Sequence, residues 1–130
     1  MQTDAIGKLI LRLTLGALLL FHGVGKILHP DAVAPIVKNV AALGLPGVFA
    51  YAVYLGEVLA PVLILLGLFA RLGGLLVVVN MIFALVLVHS SQLLTLSKSG
   101  GYGLELQAMY LFCGLAIAVL GSGRYAVRPD

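Results

Sequence analysis

The sequence predicts an all-α fold, an integral membrane four-helix bundle, and three observations predict it. Hydrophobic residues make up 62% of the 130 positions and charged residues 10%, against about 45–50% and about 25% in soluble domains. Mean hydropathy is +1.14. The apolar residues fall into four runs, each near the roughly 20 residues a helix needs to cross a bilayer. A chain this small exposes much surface for its volume. Eight Lys and Arg with five Asp and Glu cannot cover that surface with polar groups. The length fits one domain, and the composition excludes a disordered chain.

The first expected span covers 9–28, with Arg12 near its start and His22 and Lys26 toward its end. Its basic start and apolar middle are shared with secretory signals. His22 and Lys26 interrupt the far end, however, and no small-x-small site follows directly, Ala32–Val33–Ala34 being the nearest. The segment is therefore expected to stay in the protein. The second span covers 48–70 and holds one charge, Glu57. Pro61 sits mid-span and is expected to kink it, since proline removes a backbone hydrogen bond. The third covers 72–89, opening on Gly73–Gly74 and ending on His89. The fourth covers 103–121, with Glu105 near its start and Gly114 and Ala118 four apart. Such small residues let helices approach closely in lipid, where apolar burial supplies no drive. A first loop, a tight turn around 67–71, a loop near 90–101 and a short tail complete the chain.

The net charge of +3 does not point to nucleic acid, because the basic residues stand singly, with no stripe and no interleaved aromatics. They flank the apolar runs, as loop ends do in membrane proteins. Four spans put both termini on one side. That side carries Lys8, Arg12, Arg71, Arg124 and Arg128, and the other carries Lys26, Lys38 and Lys98. The excess of basic residues predicts cytoplasmic termini. The single cysteine, Cys113, has no partner for an intrachain disulfide or a CxxC pair, so it reads as a small packed hydrophobe.

Ionisable residues inside spans are costly and usually face the bundle interior. His22 is expected roughly 9 Å from the outer end of its helix and Glu57 roughly 13 Å, at 1.5 Å per residue. Lys26 and His29 follow His22 at i+4 and i+7, on one helical face. Tyr54 precedes Glu57 at i−3, on its face. His89 and Glu105 lie near the outer ends of the third and fourth spans. The outer half thus holds an ionisable group from every helix. This predicts one outward-opening polar pocket lined by His22, Lys26, Glu57, His89 and Glu105. Asn80 is about half a turn out of phase with His89, and Gln107 faces away from Glu105. Both are expected outside the pocket, as interhelical hydrogen-bonding groups or oligomer contacts. An isolated carboxylate at the depth of Glu57 needs a proton, a cation or a ligand. It either balances Lys26 or His22, or relays protons, and its depth favours the relay.

Four short segments then resemble one family. Phe21-His22-Gly23-Val24-Gly25-Lys26 is similar to the FHGxxK segment of the DoxX family of small bacterial membrane proteins. Tyr54-Leu55-Gly56-Glu57 resembles that family's second-helix glutamate segment, and Gly100-Gly101-Tyr102-Gly103-Leu104-Glu105 its GG-aromatic-x-x-E opening. Gly121-Ser122-Gly123-Arg124-Tyr125 resembles its G-P-G-R-Y tail, with Ser122 where proline is common. The resemblance implies a four-helix, multi-pass protein of the bacterial inner membrane. It also implies a place beside membrane oxidoreductases, among them a thiosulfate:quinone oxidoreductase and assemblies that handle thiol stress. On that reading the chain is a redox subunit in the lipid bilayer, working as a homo-oligomer or with a partner redox subunit. A quinone would be held by His22, Lys26, Tyr54 and His89, with Glu57 and Glu105 as catalytic proton carriers. Two His and two carboxylates also suit a bundle metal site, although the EXXH spacing of di-metal bundles is absent. The sequence contains no Rossmann glycine motif, CxxCH haem motif or iron–sulfur cysteine set. The alternatives are a non-enzymatic assembly or chaperone-like subunit and a small-solute carrier. Four short helices leave a carrier little room for alternating access.

Overall fold

A computed structural model describes residues 2–87, 96 and 100–130, and these are helical with no strand among them. Helix α1, Gln2–Leu28, is the longest element. Its buried residues, Ala5, Arg12, Leu15, Gly16, Leu19 and Gly23, form a stripe at three- and four-residue spacing, the pattern of one helix face turned to a core.

The chain then does something the hydropathy pattern did not announce. A 3-10 turn, Pro30–Val33, leads into helix α2, Ala34–Ala42, where a loop was expected. Val33, Ile36, Val37 and Val40 recur at i, i+3, i+4 and i+7, which is helical periodicity in a segment too short to span a bilayer. Val33 and Val40 bury this face against Ala50, with Ile36, Val37 and Tyr54 packed alongside.

The second apolar run is helical from Gly47 to Leu66 but changes its winding. It opens as a 3-10 turn, Gly47–Ala52, widens to a π-helix over Leu55–Leu59, and closes as helix α3, Ala60–Leu66. Pro61 stands in the first turn of α3. It has no N–H for the carbonyl four residues back, that of Glu57, so the expected break in regularity takes the form of a widened turn around Glu57. The helix stops at Leu66, short of the expected 70, because Gly67 adopts the left-handed conformation. Gly67 N–H donates to Ile64 and Leu68 N–H to Leu63, which satisfies the last carbonyls.

Helix α4, Ala70–Leu87, and helix α5, Glu105–Leu120, follow. They touch where α4 brings Gly74 against Gly114 and Ala118 of α5. A Cβ at Gly74 would stand 2.5 Å from the Gly114 carbonyl oxygen, so only glycine permits this approach. The main core joins Leu15 and Leu19 of α1 to Ala60 and Ile64 of α3, Val77 and Met81 of α4, and Tyr110 and Ile117 of α5. Cys113 packs against it with a free thiol.

Among the described residues the surface is largely apolar and three polar side chains are buried. Ile10, Phe21, Val48, Val79, Phe112 and Val119 are all more than half exposed, while Arg12, Glu57 and Ser122 are buried. Arg12 shows how a buried guanidinium is satisfied. It donates to the carbonyls of Ile64 (2.9 Å), Leu65 (3.1 Å), Ser122 (3.1 Å) and Tyr125 (2.6 Å). It thereby caps the end of α3 and ties the tail to it. The tail is held further by Val127 N–H on Leu66 and Arg128 N–H on Gly67. Arg71 donates to the α5 carbonyls of Ala118 and Val119 at that helix's free end.

Candidate functional site

Lys26 lies three residues after the buried Gly23 of α1 and one turn after His22, and is partly buried. Glu57 lies in the π-helical turn of the second apolar run. The two side chains meet: Lys26 Nζ is 2.8 Å from Glu57 Oε1 and 2.6 Å from Oε2. The Glu57 side chain is 7% exposed and that of Lys26 20%. Gly23 makes the meeting possible, since a Cβ there would overlap the Glu57 carbonyl. Backbone contact between α1 and the π-helical turn therefore precedes the ion pair in the hierarchy of the site. Tyr54, one turn before Glu57, donates its hydroxyl to the Lys26 carbonyl at 3.2 Å. It also stacks on Tyr51.

The pair stands on the wall of a cavity of about 560 Å³, within the roughly 300–1,000 Å³ range of small-molecule sites. Pro35, Ile36 and Val40 of α2 and Phe49 and Ala50 of the 3-10 turn form one side of it. Met81, Phe83 and Ala84 of α4 and Leu106 and Tyr110 of α5 form another. His22 lines it as well, with its ring edge-on to Tyr110 at 5.7 Å between centroids. The remaining polar lining is Asn80 and Gln107.

The sequence-based site is therefore assembled in part. His22, Lys26 and Glu57 converge on one cavity, and Tyr54 braces it from behind through the Lys26 backbone. His89 lies outside the described residues. Glu105 does not line the cavity; it is exposed in the first turn of α5. Asn80 and Gln107, expected outside, are inside. The physical reason is helix rotation. Tyr110, Gly114 and Ile117 are the buried face of α5. At about 100° per residue Gln107 lies roughly 60° from Tyr110 and Glu105 roughly 140° from it. On α4 the buried Val77 and Met81 set the face, and Asn80 borders it at i+3 from Val77. Its side chain lies directly against Gly56. His29, placed with His22 and Lys26 by spacing, is exposed and does not line the cavity.

Among the described residues, no group of three or more His, Cys, Asp and Glu side chains is placed to hold a metal ion. The chemistry on offer is a neutral ion pair, two carboxamides and an imidazole in apolar walls.

The DoxX family model matches residues 7–90, the stretch that supplies His22, Lys26, Tyr54, Glu57 and Asn80. The chain belongs to the DoxX family. The match takes in both segments that build the ion pair. A DoxX-type relative named "Putative oxidoreductase CatD", from Bacillus subtilis (strain 168), is 27% identical over 124 residues. That alignment covers 95% of this chain and 86% of the relative. No solved structure gives a significant match. The DoxX family is membrane-associated, and α1 and the Gly47–Leu66 helix are long and apolar enough to cross a membrane.

Proposed function

We propose that this DoxX protein is a multi-pass subunit of a membrane redox system and that its cavity receives a quinone. One observation carries the reading: a buried Lys26–Glu57 pair stands on the wall of a ligand-sized, mostly apolar cavity. Ionisable groups at such a position are expensive and mark function in membrane proteins. The inverted polarity of the molecule, apolar outside and charged inside, supports a lipid setting. So do the helix lengths. α1 and the Gly47–Leu66 helix have 27 and 20 residues. α4 and α5 have 18 and 16 residues, rising roughly 27 and 24 Å, close to the roughly 30 Å hydrocarbon core. The four form a membrane bundle of the inner membrane, with α2 as a short cap on the outer side and both termini cytoplasmic.

The residues present fit a quinone. Its ring and tail suit the walls made by Met81, Phe83 and Tyr110. A carbonyl head suits the donors Lys26 and His22. A bound quinone supplies two-electron, two-proton chemistry. Glu57 holds the carboxylate through which a proton would reach that head, with the Lys26 ammonium balancing its charge while the carboxylate is ionised. With one cysteine and no nucleotide or haem motif in the sequence, the electrons come from a partner chain. The name of the Bacillus subtilis relative agrees with a redox role.

The test is a titration of the purified chain in nanodiscs with a short-chain quinone. Saturable binding is expected, weakened at least tenfold by Ala84→Phe, which fills the cavity from α4. No saturable binding, or binding indifferent to Ala84→Phe, overturns the reading.

A further inference from the structure

Asn80 and Gln107 remain unexplained by the ion pair. Both line the cavity, and both are only partly exposed. Among the described residues neither carboxamide has a hydrogen-bond partner. Interhelical hydrogen bonding, the ordinary use of such residues in lipid, is therefore not what they do here. They reach the cavity from α4 and α5, whose faces point them inward by the rotation described above. A carboxamide offers two N–H donors and a carbonyl acceptor. The Lys26–Glu57 pair is neutral overall, and the walls oppose any unpaired charge. Asn80 also lines a second crevice of about 100 Å³ between the Gly47–Leu66 helix and α4. The outward residues of that crevice, Leu55 and Val79, are half exposed on the apolar surface.

We infer that Asn80 and Gln107 add to the head-group recognition of this cavity beside Lys26 and His22, and that they select the uncharged lipophilic form of the ligand that bears a hydroxyl. The inference rests on the cavity being the ligand site proposed above and adds the class of head group. A hydroxyl both donates and accepts, so it satisfies an amide carbonyl and an amide N–H together. A carbonyl or ether head accepts only and leaves the amide carbonyls unmatched. A site built to hydrogen-bond a hydroxyl rejects the analogue that lacks it far more strongly than an apolar pocket rejects a size change. In quinone chemistry the form with hydroxyls is the reduced one. An anion is disfavoured, because no unpaired cation among the described cavity residues awaits it.

The experiment compares three probes matched in tail and ring: a 4-alkylphenol, its methyl ether and the corresponding alkylbenzene. Each is titrated into the full chain in nanodiscs, beside the short-chain quinone. The phenol is expected to bind about tenfold or more tightly than the ether and the benzene. Asn80→Leu, close in shape to asparagine, and Gln107→Leu are each expected to reduce that preference at least threefold, with melting temperature kept. Two variants on two helices guard against one that fails to fold. Equal binding of phenol and ether overturns the inference, as does a preference that survives both substitutions, even if the quinone binds. A phenol preference lost in both variants, with no quinone binding, supports the inference and removes the quinone reading. If no probe binds, both fall.

Discussion

A lysine and a glutamate that touch through both carboxylate oxygens can contribute anything from nothing to several kcal/mol, and burial decides which. Exposed pairs are worth about 0–1 kcal/mol, whereas removing one partner of a fully buried pair costs about 3–5 kcal/mol. Glu57 is 5% exposed but the Lys26 side chain is 20% exposed, so the cost of Glu57→Gln is expected between these two ranges, because the ammonium left without its partner keeps some solvent contact. Lys26→Met strands the carboxylate and costs a similar amount. The double variant is expected to be less destabilised than the sum of the singles, since neither charge is left alone. Melting of the four proteins in detergent measures this, and simple additivity would show that the pair is not coupled. Ser122 is the other instructive residue. Its N–H donates to Asp130 Oδ1 at 2.9 Å, and its hydroxyl accepts from Asp130 N–H at 3.1 Å. Proline, the residue in the tail motif that this segment resembles, would supply neither group. The departure in the tail motif is thus matched by a contact that only a residue with both groups can make.

Among the elements, the π-helical turn over Leu55–Leu59 matters most for the site. Widened turns of this kind gather at functional positions, and here one is placed by Pro61 on one side and by α1 on the other. Gly23 is the contact. Gly23→Ala would ordinarily favour a helix interior by about 0.5–1 kcal/mol. Here its Cβ would collide with the Glu57 carbonyl, so a net loss of roughly 1–3 kcal/mol is expected, in the range of overpacked cores. Separation of α1 from the turn should also loosen the ion pair. Ligand affinity of Gly23→Ala should therefore fall more than that of Gly25→Ala, where a Cβ would meet nothing within 4 Å. Equal behaviour of the two variants in melting and binding would refute this account.

For the molecule as a whole, the tail is the closure. Asp130 accepts from the N–H groups of Arg71 and Ser122 at the mouth of the turn that joins α3 to α4. Partial burial pushes the Asp130 carboxyl up. The Arg71 and Ser122 hydrogen bonds and the Arg71 charge outweigh this and hold it below its ordinary value of 3.8. A carboxyl depressed in the folded state contributes stability that is complete above its unfolded value and lost as pH falls through the folded one. The melting advantage of the wild type over Asp130→Asn should thus be constant from pH 7 to about 5 and shrink below about 4. An advantage unchanged at pH 3 would exclude this origin. At the same scale, the proposed topology puts α2 outside. With Cys113 replaced by alanine, a cysteine at position 39 should label in intact cells with an impermeant reagent. Labelling only after permeabilisation would invert the orientation.

Composition and periodicity by themselves determined the helical class, the apolar runs, and the presence of charged groups inside them. They also determined that His22 and Lys26 share a face of α1 and that Glu57 needs a partner. All of these follow from local spacing along one chain. The α2 helix was legible too, in the spacing of Val33, Ile36, Val37 and Val40, but a reading tuned to spans passes over so short a segment. Only the tertiary structure decided which residues of α4 and α5 face the cavity. Both helices are apolar nearly all round, so no polar face fixes their rotation. The close approach of Gly74 to Gly114 and the burial of Val77, Met81 and Tyr110 fix it instead, bringing Asn80 and Gln107 in and leaving Glu105 out. Arg12 changed in the same way. Read as a charge at a membrane edge, it is a buried cap on four carbonyls, two from the end of α3 and two from the tail. Its partners lie more than 50 positions away in the sequence, so helix periodicity within α1 carries no trace of them.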